Sequence, residues 1–504
     1  MSQITLPTQT RRLDRVLGPW MATALVIGTV IGSGVFKKPS AVARDVPEFG
    51  LAIGAWILVG VLALMGALVL AEIAVLLPRA GGNYVFLREA YGRWAGFLWG
   101  WVEFWIIRSA SIAALATIFT DSLHDILREA KGLPSDQDAL TFWETKAVTI
   151  AVIAALALVN MRGTLLGGGL QVVVTTVKVI SLIGIALVPI VFLAGITPYA
   201  GEVSFDNLAP VWPAEWRSVN WSSFGGALVG VLWAYHGWMN IAPVAEEVRE
   251  PRRNIPLALL VGTLTVMALY VSANFAYYLV VPGATMPFLT RPVAAEFGLR
   301  LFGRIGLLIT SAAIMTSVFG SLNGNLLVGP RLLFAMGRDG LAPKLLSRLH
   351  SRWDTPAWAT AVFACWSIAL VAITGLMVKN LMPVVEIAGF RINPNVDPTT
   401  DPFDLLTNYV IFGATSFETL AVASIFVLRR RQTPGADAAY RCPMFPLLPA
   451  LYVLAMGAVL VNMFVTKSTE AIAAVGFIAV GAVVYVVLFA WRRTPPAPNG
   501  DYLS

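Results

Sequence analysis

The sequence predicts an all-α integral membrane protein with twelve transmembrane helices. Of its 504 residues, 57% are hydrophobic and 13% are charged, whereas a typical soluble domain is ~45–50% apolar and ~25% charged. Twelve apolar runs reach the ~20 residues that a membrane-spanning helix needs. Each run must be helical in lipid, because unpaired backbone groups there cost several kcal/mol apiece. A soluble multidomain enzyme and a disulfide-rich secreted protein are excluded, since Cys365 and Cys442 are the only cysteines.

The positions of the apolar runs and of the basic residues predict the topology. Most of the 36 Lys and Arg residues fall in alternate loops, on the same side as both termini. Because these residues accumulate in cytoplasmic loops, we predict a multi-pass protein of the cell (inner or plasma) membrane with both termini in the cytoplasm. The dispersed charge of +7 argues against nucleic acid as a partner. The predicted spans are 18–36, 51–77, 92–120, 145–167, 170–195, 222–246, 257–281, 303–329, 357–377, 404–428, 447–466 and 470–491.

Three segments between or after the spans have patterns of their own. Residues 331–352 are amphipathic, which predicts a helix on the cytoplasmic surface. Residues 379–402 contain several Pro and Asp residues and predict an irregular outer excursion. The Pro-rich tail predicts disorder. No soluble domain is predicted anywhere in the chain.

Two of the predicted spans contain a break in the helical pattern. Span 1 contains Ile-Gly-Ser-Gly at 31–34, and glycine is disfavoured in a helix interior by ~1 kcal/mol. Span 6 contains Trp-Ala-Tyr-His-Gly-Trp at 233–238. If the chain comprises two five-helix halves, the breaks occupy equivalent positions, which is the best sequence indication of a transporter binding site. The simpler alternative is that these small residues allow close helix packing.

The two breaks together indicate the kind of ligand. A broken helix exposes free N–H groups where one half begins and free C=O groups where another half ends. The first end suits a carboxylate and the second suits an ammonium group, and a zwitterionic amino acid carries both. The sequence has no phosphate-binding loop and no Cys/His cluster, so we predict neither ATP-driven transport nor a metal or other cofactor.

An ordered set of short segments runs along most of the chain. The segments are Gly28–Phe36, Ala71–Glu72, Gly81–Tyr84, Glu103 with Ile106–Arg108, Glu246–Glu247, Arg253–Pro256, Asn274–Tyr277, Phe319–Gly324, Arg331 and Gly337–Gly340. This set resembles the L-amino-acid transporter (LAT) family of the amino acid–polyamine–organocation (APC) superfamily. The resemblance covers predicted spans 1 to 10.

The resemblance implies a LeuT-type fold of two inverted five-helix repeats with broken helices 1 and 6, working by alternating access. The implied divisions are a cytoplasmic N-terminal segment (1–17), a first repeat (18–197), a second repeat (222–430), helices 11 and 12 (447–491) and a cytoplasmic tail (492–504). Animal members are linked to a partner subunit through a cysteine in the loop after span 3. Residues 121–145 contain no cysteine, so no disulfide-linked partner is implied.

The resemblance also implies the residues of the site. The implied substrate-binding residues are Thr29, Val30, Ile31, Gly32, Ser33, Gly34, Trp233, Ala234 and His236. Trp233 matches an aromatic residue that closes over the substrate from the outer side. Lys178 matches a lysine that stands where sodium sits in sodium-driven relatives, and Tyr277 and Ser321 match residues near that lysine.

Three ionisable residues inside spans predict coupling or gating roles. A charge such as Lys178 is costly within a bilayer, so we expect a role in translocation, the alternative being a side chain that reaches out to the interface. Glu418 in span 10 departs from the family pattern and has no basic residue nearby in sequence, which predicts a proton-carrying role. His236 replaces a glycine that is common in the family. It is either a packed structural residue, a substrate contact or a gate that responds to protonation.

Five further charged residues are expected to form pairs. Glu103 and Arg108 lie five residues apart on span 3 and either pair with each other or with neighbouring helices, or contact the substrate. Glu72, Glu246 and Glu247 lie near cytoplasmic helix ends and are predicted to brace an inner gate against the arginines there, the alternative being a direct role in proton transfer.

These observations predict a secondary active transporter of amino acids, foremost neutral L-amino acids, working by exchange or proton-coupled uptake without covalent chemistry. The expected partners are the amino acid substrate and the lipid bilayer. The first alternative is a permease for cationic amino acids or polyamines, which the absence of an acidic residue near either break disfavours. The second is a membrane sensor that binds an amino acid without moving it. A membrane enzyme would need a nucleophile–base set or a metal site, and the sequence offers neither.

Overall fold

A computed structural model describes residues 13–134, 137–195, 203–387, 390–392, 402–431 and 440–491. The predicted tail and most of the predicted N-terminal segment lie outside these residues. The elements are α1 Pro19–Val30, α2 Gly34–Asp45, α3 Phe49–Leu76, α4 Asn83–Tyr91, α5 Arg93–Val102, α6 Ser109–Ala130, α7 Phe142–Arg162, α8 Thr164–Leu193, α9 Trp221–Tyr235, α10 Pro251–Val280, α11 Val293–Val328, α12 Pro330–Arg338, α13 Ala357–Val378, β1 Val385–Ile387, β2 Phe390–Ile392, α14 Pro402–Arg431, α15 Leu447–Thr466 and α16 Ser468–Leu488.

The helices confirm the predicted membrane architecture. Among the described residues, eleven helical units are long and apolar enough to cross a membrane, and they coincide with eleven of the twelve predicted spans. The remaining span, 222–246, is divided: α9 has 15 residues, and a short 3₁₀ turn, Ala242–Glu247, follows it. The sixth span is therefore interrupted where the sequence placed its break.

Local signals explain where several helices begin. Thr141 and Glu144 form a reciprocal capping box at the start of α7, which satisfies two backbone N–H groups that have no helical partner. The Asn220 side chain accepts hydrogen bonds from the first turn of α9. Within α11, Gly303 adopts a positive φ of 57° and kinks the helix. Glycine tolerates this conformation because it has no Cβ.

The broken helices lie at the centre of the bundle. Helix α1 packs against α8, α10 and α11, while α2 and α3 pack against α9. In contrast, α16 buries only Ala471, Ala474 and Gly481 and contacts α5, α14 and α15 from the outside. Phe477 and Tyr485 of α16 pack against aromatic residues of α5, whereas Val483 and Val487 are exposed. We call the end of the bundle that carries Leu17 and α12 the terminal face, and the end that carries the last turn of α2 the opposite face.

Two loop predictions are wrong. Within 331–352 the helix ends at Arg338, and α12 is buried through most of its length rather than lying on a surface. The apolar side of α12 packs against the interior of the protein, because Leu332 and Phe334 are at most 3% exposed. The expected irregular segment 379–402 contains an antiparallel hairpin, β1 with β2. Residues 388–389 and 393–401 of that segment lie outside the described part of the chain.

Candidate binding site at the two broken helices

The breaks in spans 1 and 6 meet at the middle of the bundle. Residues 31–33 separate α1 from α2, and α9 ends at Tyr235. A Cβ atom built on Gly34 would collide with the backbone of Ala234, so glycine is required for this approach. The Tyr270 hydroxyl of α10 lies 2.9 Å from the Val30 carbonyl oxygen and 3.0 Å from that of Ala234. One phenol therefore ties both breaks together.

A small cavity of about 30 Å³ lies between the two breaks. Most of the substrate-binding residues predicted from the sequence line it, but Ile31 and Ala234 do not. Its lining residues are Thr29, Val30, Gly32, Ser33, Gly34, Ser111, Leu115, Trp233, His236, Asn240, Ser321 and Asn325. Sequence reasoning missed four of these: Ser111, Leu115, Asn240 and Asn325. The available signal for Asn325 was its position directly after the Phe319–Gly324 motif.

The two breaks expose hydrogen-bond donors and acceptors. The Ser33 hydroxyl is buried and has no hydrogen-bond partner among the described atoms, although buried hydroxyls are normally paired. Helix α2 begins beside it, so first-turn N–H groups without helical carbonyl partners lie at the same place. At the other break, α9 ends with carbonyl groups that lack helical partners. The arrangement offers donors to a carboxylate and acceptors to an ammonium group.

Lys178 lies directly behind the first break. Its side chain is 1% exposed, and its ammonium group donates to the carbonyl oxygens of Gly28 and Ile31, each at 2.6 Å, and to the Ser321 hydroxyl at 2.9 Å. These three acceptors use all three ammonium protons. The lysine therefore holds the unwound segment in place from behind, and it does not extend to the membrane interface.

Tyr277 does not join this arrangement. Its ring packs edge-on against Phe297 at 5.6 Å, and its buried hydroxyl has no hydrogen-bond partner among the described atoms. Ser321, in contrast, also lies 2.8 Å from the Ile31 carbonyl oxygen. Of the two residues expected beside Lys178, the structure thus brings only Ser321 into hydrogen-bond contact with it.

Glu418 has a basic partner that was not visible in the sequence. The Glu418 Oε1 atom lies 3.1 Å from His236 Nε2, and these side chains are 8% and 14% exposed. No basic residue lies near Glu418 in the sequence, so this partner comes from the fold alone, and the proton-carrying role of Glu418 stays a prediction. His236 caps α9 at the break, and its ring lies parallel to that of Trp233 at 6.3 Å. His236 therefore lines the central cavity and also contacts the Glu418 carboxylate of α14.

Glu103 and Arg108 pair because the helix between α5 and α6 is a π-helix. Residues five apart face one another in a π-helix, whereas they diverge in an α-helix. Arg108 Nε donates to Glu103 Oε1 at 2.7 Å, and its other nitrogens donate to Asn325 at 2.6 Å and Asn240 at 3.0 Å. This buried network joins spans 3, 6 and 8 beside the central cavity. Glu103 Oε2 remains without a hydrogen-bond partner among the described atoms.

The terminal face is closed beneath the site by buried ion pairs. Arg331 is 0% exposed and donates to both carboxylate oxygens of Glu247, at 2.8 and 3.0 Å, and to the Thr164 hydroxyl. The backbone of Leu17 bonds in both directions with the chain around Val248.

The other two predicted bracing carboxylates also contact arginines. Glu246 accepts from Arg338 at 3.3 Å, and Glu72 accepts from Arg429 at 2.6 Å. All three carboxylates thus pair as the sequence predicted.

A wider cavity of about 310 Å³ lies toward the opposite face. Trp233 lines both this cavity and the central one and is itself 8% exposed. The Trp233 ring is packed edge-on by Phe403, over which Lys37 and Lys38 lie at 4.5 and 5.2 Å. Trp233 therefore lies between the central cavity and the larger one.

The residues described show neither a metal site nor a disulfide bond. Within the described ranges, no three His, Cys, Asp or Glu side chains are placed to hold a metal ion. Both cysteines are free thiols.

Comparison with known proteins places this architecture in a family. The chain is 32% identical over 463 residues to the serine/threonine exchanger SteT of Bacillus subtilis (strain 168), covering 92% of this chain and 94% of that protein. It is 27% identical over 503 residues to the human b(0,+)-type amino acid transporter 1, covering 98% and 93%. It is also 27% identical over 497 residues to the mouse large neutral amino acids transporter small subunit 2, covering 98% and 84%. The amino acid permease family matches residues 17–490, and the chain belongs to this family of membrane transporters.

Proposed function

We propose that this protein exchanges small neutral L-amino acids across the cell membrane by alternating access. The observation that carries the proposal is the buried, unpartnered Ser33 hydroxyl at the first break, facing a small polar cavity. A substrate carboxylate would accept from this hydroxyl and from the N–H groups of the first turn of α2. The substrate ammonium group would donate to carbonyl groups at the end of α9.

The dimensions and chemistry of the cavity support a small, uncharged side chain. Beyond the breaks, the polar side chains that line the cavity are those of Ser111, Asn240, Ser321 and Asn325. No Asp or Glu is among the described residues that line this cavity, and a cationic side chain would need one. Hydroxyl and amide neighbours suit a substrate such as serine, alanine or threonine. The similarity to a serine/threonine exchanger supports the same class.

The two closures around the cavity support alternating access. Trp233 separates the cavity from the opposite face, and the Arg331–Glu247 pair closes the terminal face. We propose that the terminal face is cytoplasmic, because Lys and Arg residues are concentrated there. Both termini then lie in the cytoplasm and the protein spans the plasma or inner membrane. No step of this cycle forms or breaks a covalent bond, so we propose a transporter that is not an enzyme. Residues 121–145 contain no cysteine, so we propose that it needs no disulfide-linked subunit.

Uptake into sealed vesicles tests the proposal directly. Purified protein in liposomes, preloaded with unlabelled L-serine or left empty, would be given radiolabelled L-serine outside. Exchange predicts uptake into preloaded vesicles only, with competition by L-alanine and L-threonine but not by L-arginine or putrescine. Uptake into empty vesicles would contradict obligatory exchange. Binding of L-serine without uptake under either condition would indicate a sensor.

A variant of Ser33 tests the assigned contact. A hydrogen bond to a charged group contributes about 1.5–3 kcal/mol, so Ser33→Ala should weaken L-serine binding by roughly 10- to 100-fold. The matched control is Ser181→Ala, whose hydroxyl bonds back to the Val177 carbonyl within α8, away from the cavity. Equal affinities of the two variants for L-serine would show that Ser33 does not contact the substrate.

A further inference from the structure

Four ionisable side chains surround a second, water-sized cavity beside the substrate site. This cavity of about 10 Å³ is lined by Glu103, Arg108, His236 and Glu418, and a void of this size holds about one water molecule. His236 and Asn240 line both this cavity and the central one. The four ionisable side chains are between 4% and 14% exposed. We call these four residues the acid–base cluster.

The charges of the acid–base cluster do not balance without a proton. It contains two carboxylates, Glu103 and Glu418, and one permanent cation, Arg108. Arg108 donates to Glu103 at 2.7 Å, and two more of its N–H groups donate to asparagine side chains. Glu418 is therefore not compensated by the arginine, and its nearest basic atom is His236 Nε2 at 3.1 Å. A net negative charge buried from water is unfavourable, whereas one added proton makes the cluster neutral.

Among the residues that the structure describes, no other basic side chain forms an ion pair with Glu418. Tyr452 of α15 and uncharged side chains of α3 line the cavity on the far side of Glu418. Lys37 and Lys38 of α2 lie over Phe403, whose ring packs on Trp233. Lys178 of α8 donates to the backbone of the first break and to Ser321. In the described surroundings, a proton on His236 is therefore the positive charge that can balance Glu418.

We propose that the acid–base cluster binds one exchangeable proton, carried by the His236 imidazole against the Glu418 carboxylate, and that substrate binding at the neighbouring break changes its occupancy. The link is His236 itself, which ends α9 at the substrate cavity and faces Glu418 from the other side. When the terminal face opens, water entering the small cavity would receive or supply this proton. Proton binding does not depend on the proposed function, whereas its coupling to transport does.

Nuclear magnetic resonance of the histidine side chains tests directly whether the His236 imidazole carries this proton. The chain has three histidines, so protein with isotope-labelled histidine in nanodiscs gives three imidazole signals, and His236→Gln identifies one of them. We expect the His236 signal of an imidazolium ion at neutral pH, and that of a neutral imidazole in Glu418→Gln. A neutral His236 ring in the unmodified protein, or a ring unaffected by Glu418→Gln, would overturn the proposal.

The other two histidines show whether a variant has folded. His350 stacks on Trp353 at 4.0 Å, and His124 accepts a hydrogen bond from the backbone of Ala139 at 3.0 Å. Both signals should stay in place in Glu418→Gln. If that variant misfolds, the unmodified protein still decides the question: the heat of L-serine binding, measured in buffers of different ionisation enthalpy, gives the number of protons exchanged. A value of zero between about pH 6 and about pH 8 would refute the coupling.

The pH dependence of L-serine uptake distinguishes the proposed proton coupling from the proposed transport function. A single-proton step changes the rate by up to about tenfold per pH unit, and Glu418→Gln should flatten that dependence. The control Glu129→Gln removes a carboxylate that pairs with Arg304 at 3.3 Å near the opposite face, and it should keep the normal profile. Transport that proceeds with identical pH profiles in all three proteins refutes the coupling alone. A complete absence of amino acid binding refutes the proposed function and leaves the resonance test standing.

Discussion

The Arg331–Glu247 pair gives a measurable test of how the terminal face is held closed. Arg331 is 0% exposed and donates to both oxygens of Glu247, while Thr164 donates to the same carboxylate at 2.7 Å. Glu247→Gln keeps the size of the side chain but removes its charge. Arg331 is then a buried cation without a counter-ion. We expect the closed terminal face to lose stability relative to an open form in which water reaches the arginine.

The size of the effect follows from the burial of the pair. Removing one member of a buried ion pair costs about 3–5 kcal/mol. Two hydrogen-bond acceptors of Arg331 survive in the variant, the Leu327 carbonyl and the Thr164 hydroxyl, which favours the lower end of this range. A cost of about 3 kcal/mol corresponds to a shift of roughly a hundredfold in the ratio of closed to open forms.

Thiol accessibility measures this ratio. Ala80 is 4% exposed and packs with Leu13 and Phe334 at the terminal face, so Ala80→Cys in a background without Cys365 and Cys442 reports opening. Adding Glu247→Gln should raise the rate of maleimide labelling by roughly a hundredfold.

The double variant Glu247→Gln with Arg331→Met serves as the control. The double variant has no buried charge that would favour the open form. Its maleimide labelling should therefore be slower than that of the single variant. If Glu247→Gln labels at the parental rate while the melting temperature falls, the pair supports folding and does not control the face.

Three further outcomes are expected. Lys178→Ala should express normally but translocate L-serine at least about tenfold more slowly, because the carbonyl groups at the break lose a charged donor worth about 1.5–3 kcal/mol; near-normal uptake in vesicles would remove the lysine from the mechanism. Gly34→Ala should abolish L-serine binding, since its Cβ collides with α9, whereas Gly54→Ala, with open space at its Cβ, should bind normally. Burial and the neighbouring Glu72 carboxylate raise the pKa of the Cys442 thiol to about 11, so its alkylation should be slow at neutral pH and accelerate as the pH rises toward that value, because the thiolate is the nucleophile. A fast, pH-independent reaction of this thiol would contradict the buried position.

The sequence by itself determined the membrane-spanning helices and the places where two of them break. Both are local properties: a run of apolar residues must be helical in lipid, and a glycine weakens a helix wherever it occurs in the interior. For the same reason the residues of the two breaks could be named before their contacts were known. The arginine partners of the bracing glutamates were predictable as a class, because basic residues cluster at one face.

The tertiary structure alone decided which distant side chains meet. Glu418 and His236 are separated by most of the second half of the chain, and only the packing of α14 against α9 brings them to 3.1 Å. The π-helix between α5 and α6 turns Arg108 toward Glu103, and periodicity arguments based on α-helices do not foresee it. Asn240 and Asn325 enter the site through that same arginine. Hydropathy and glycine placement act along the chain, but charge compensation acts across space, so the ion pairs became visible only in the fold.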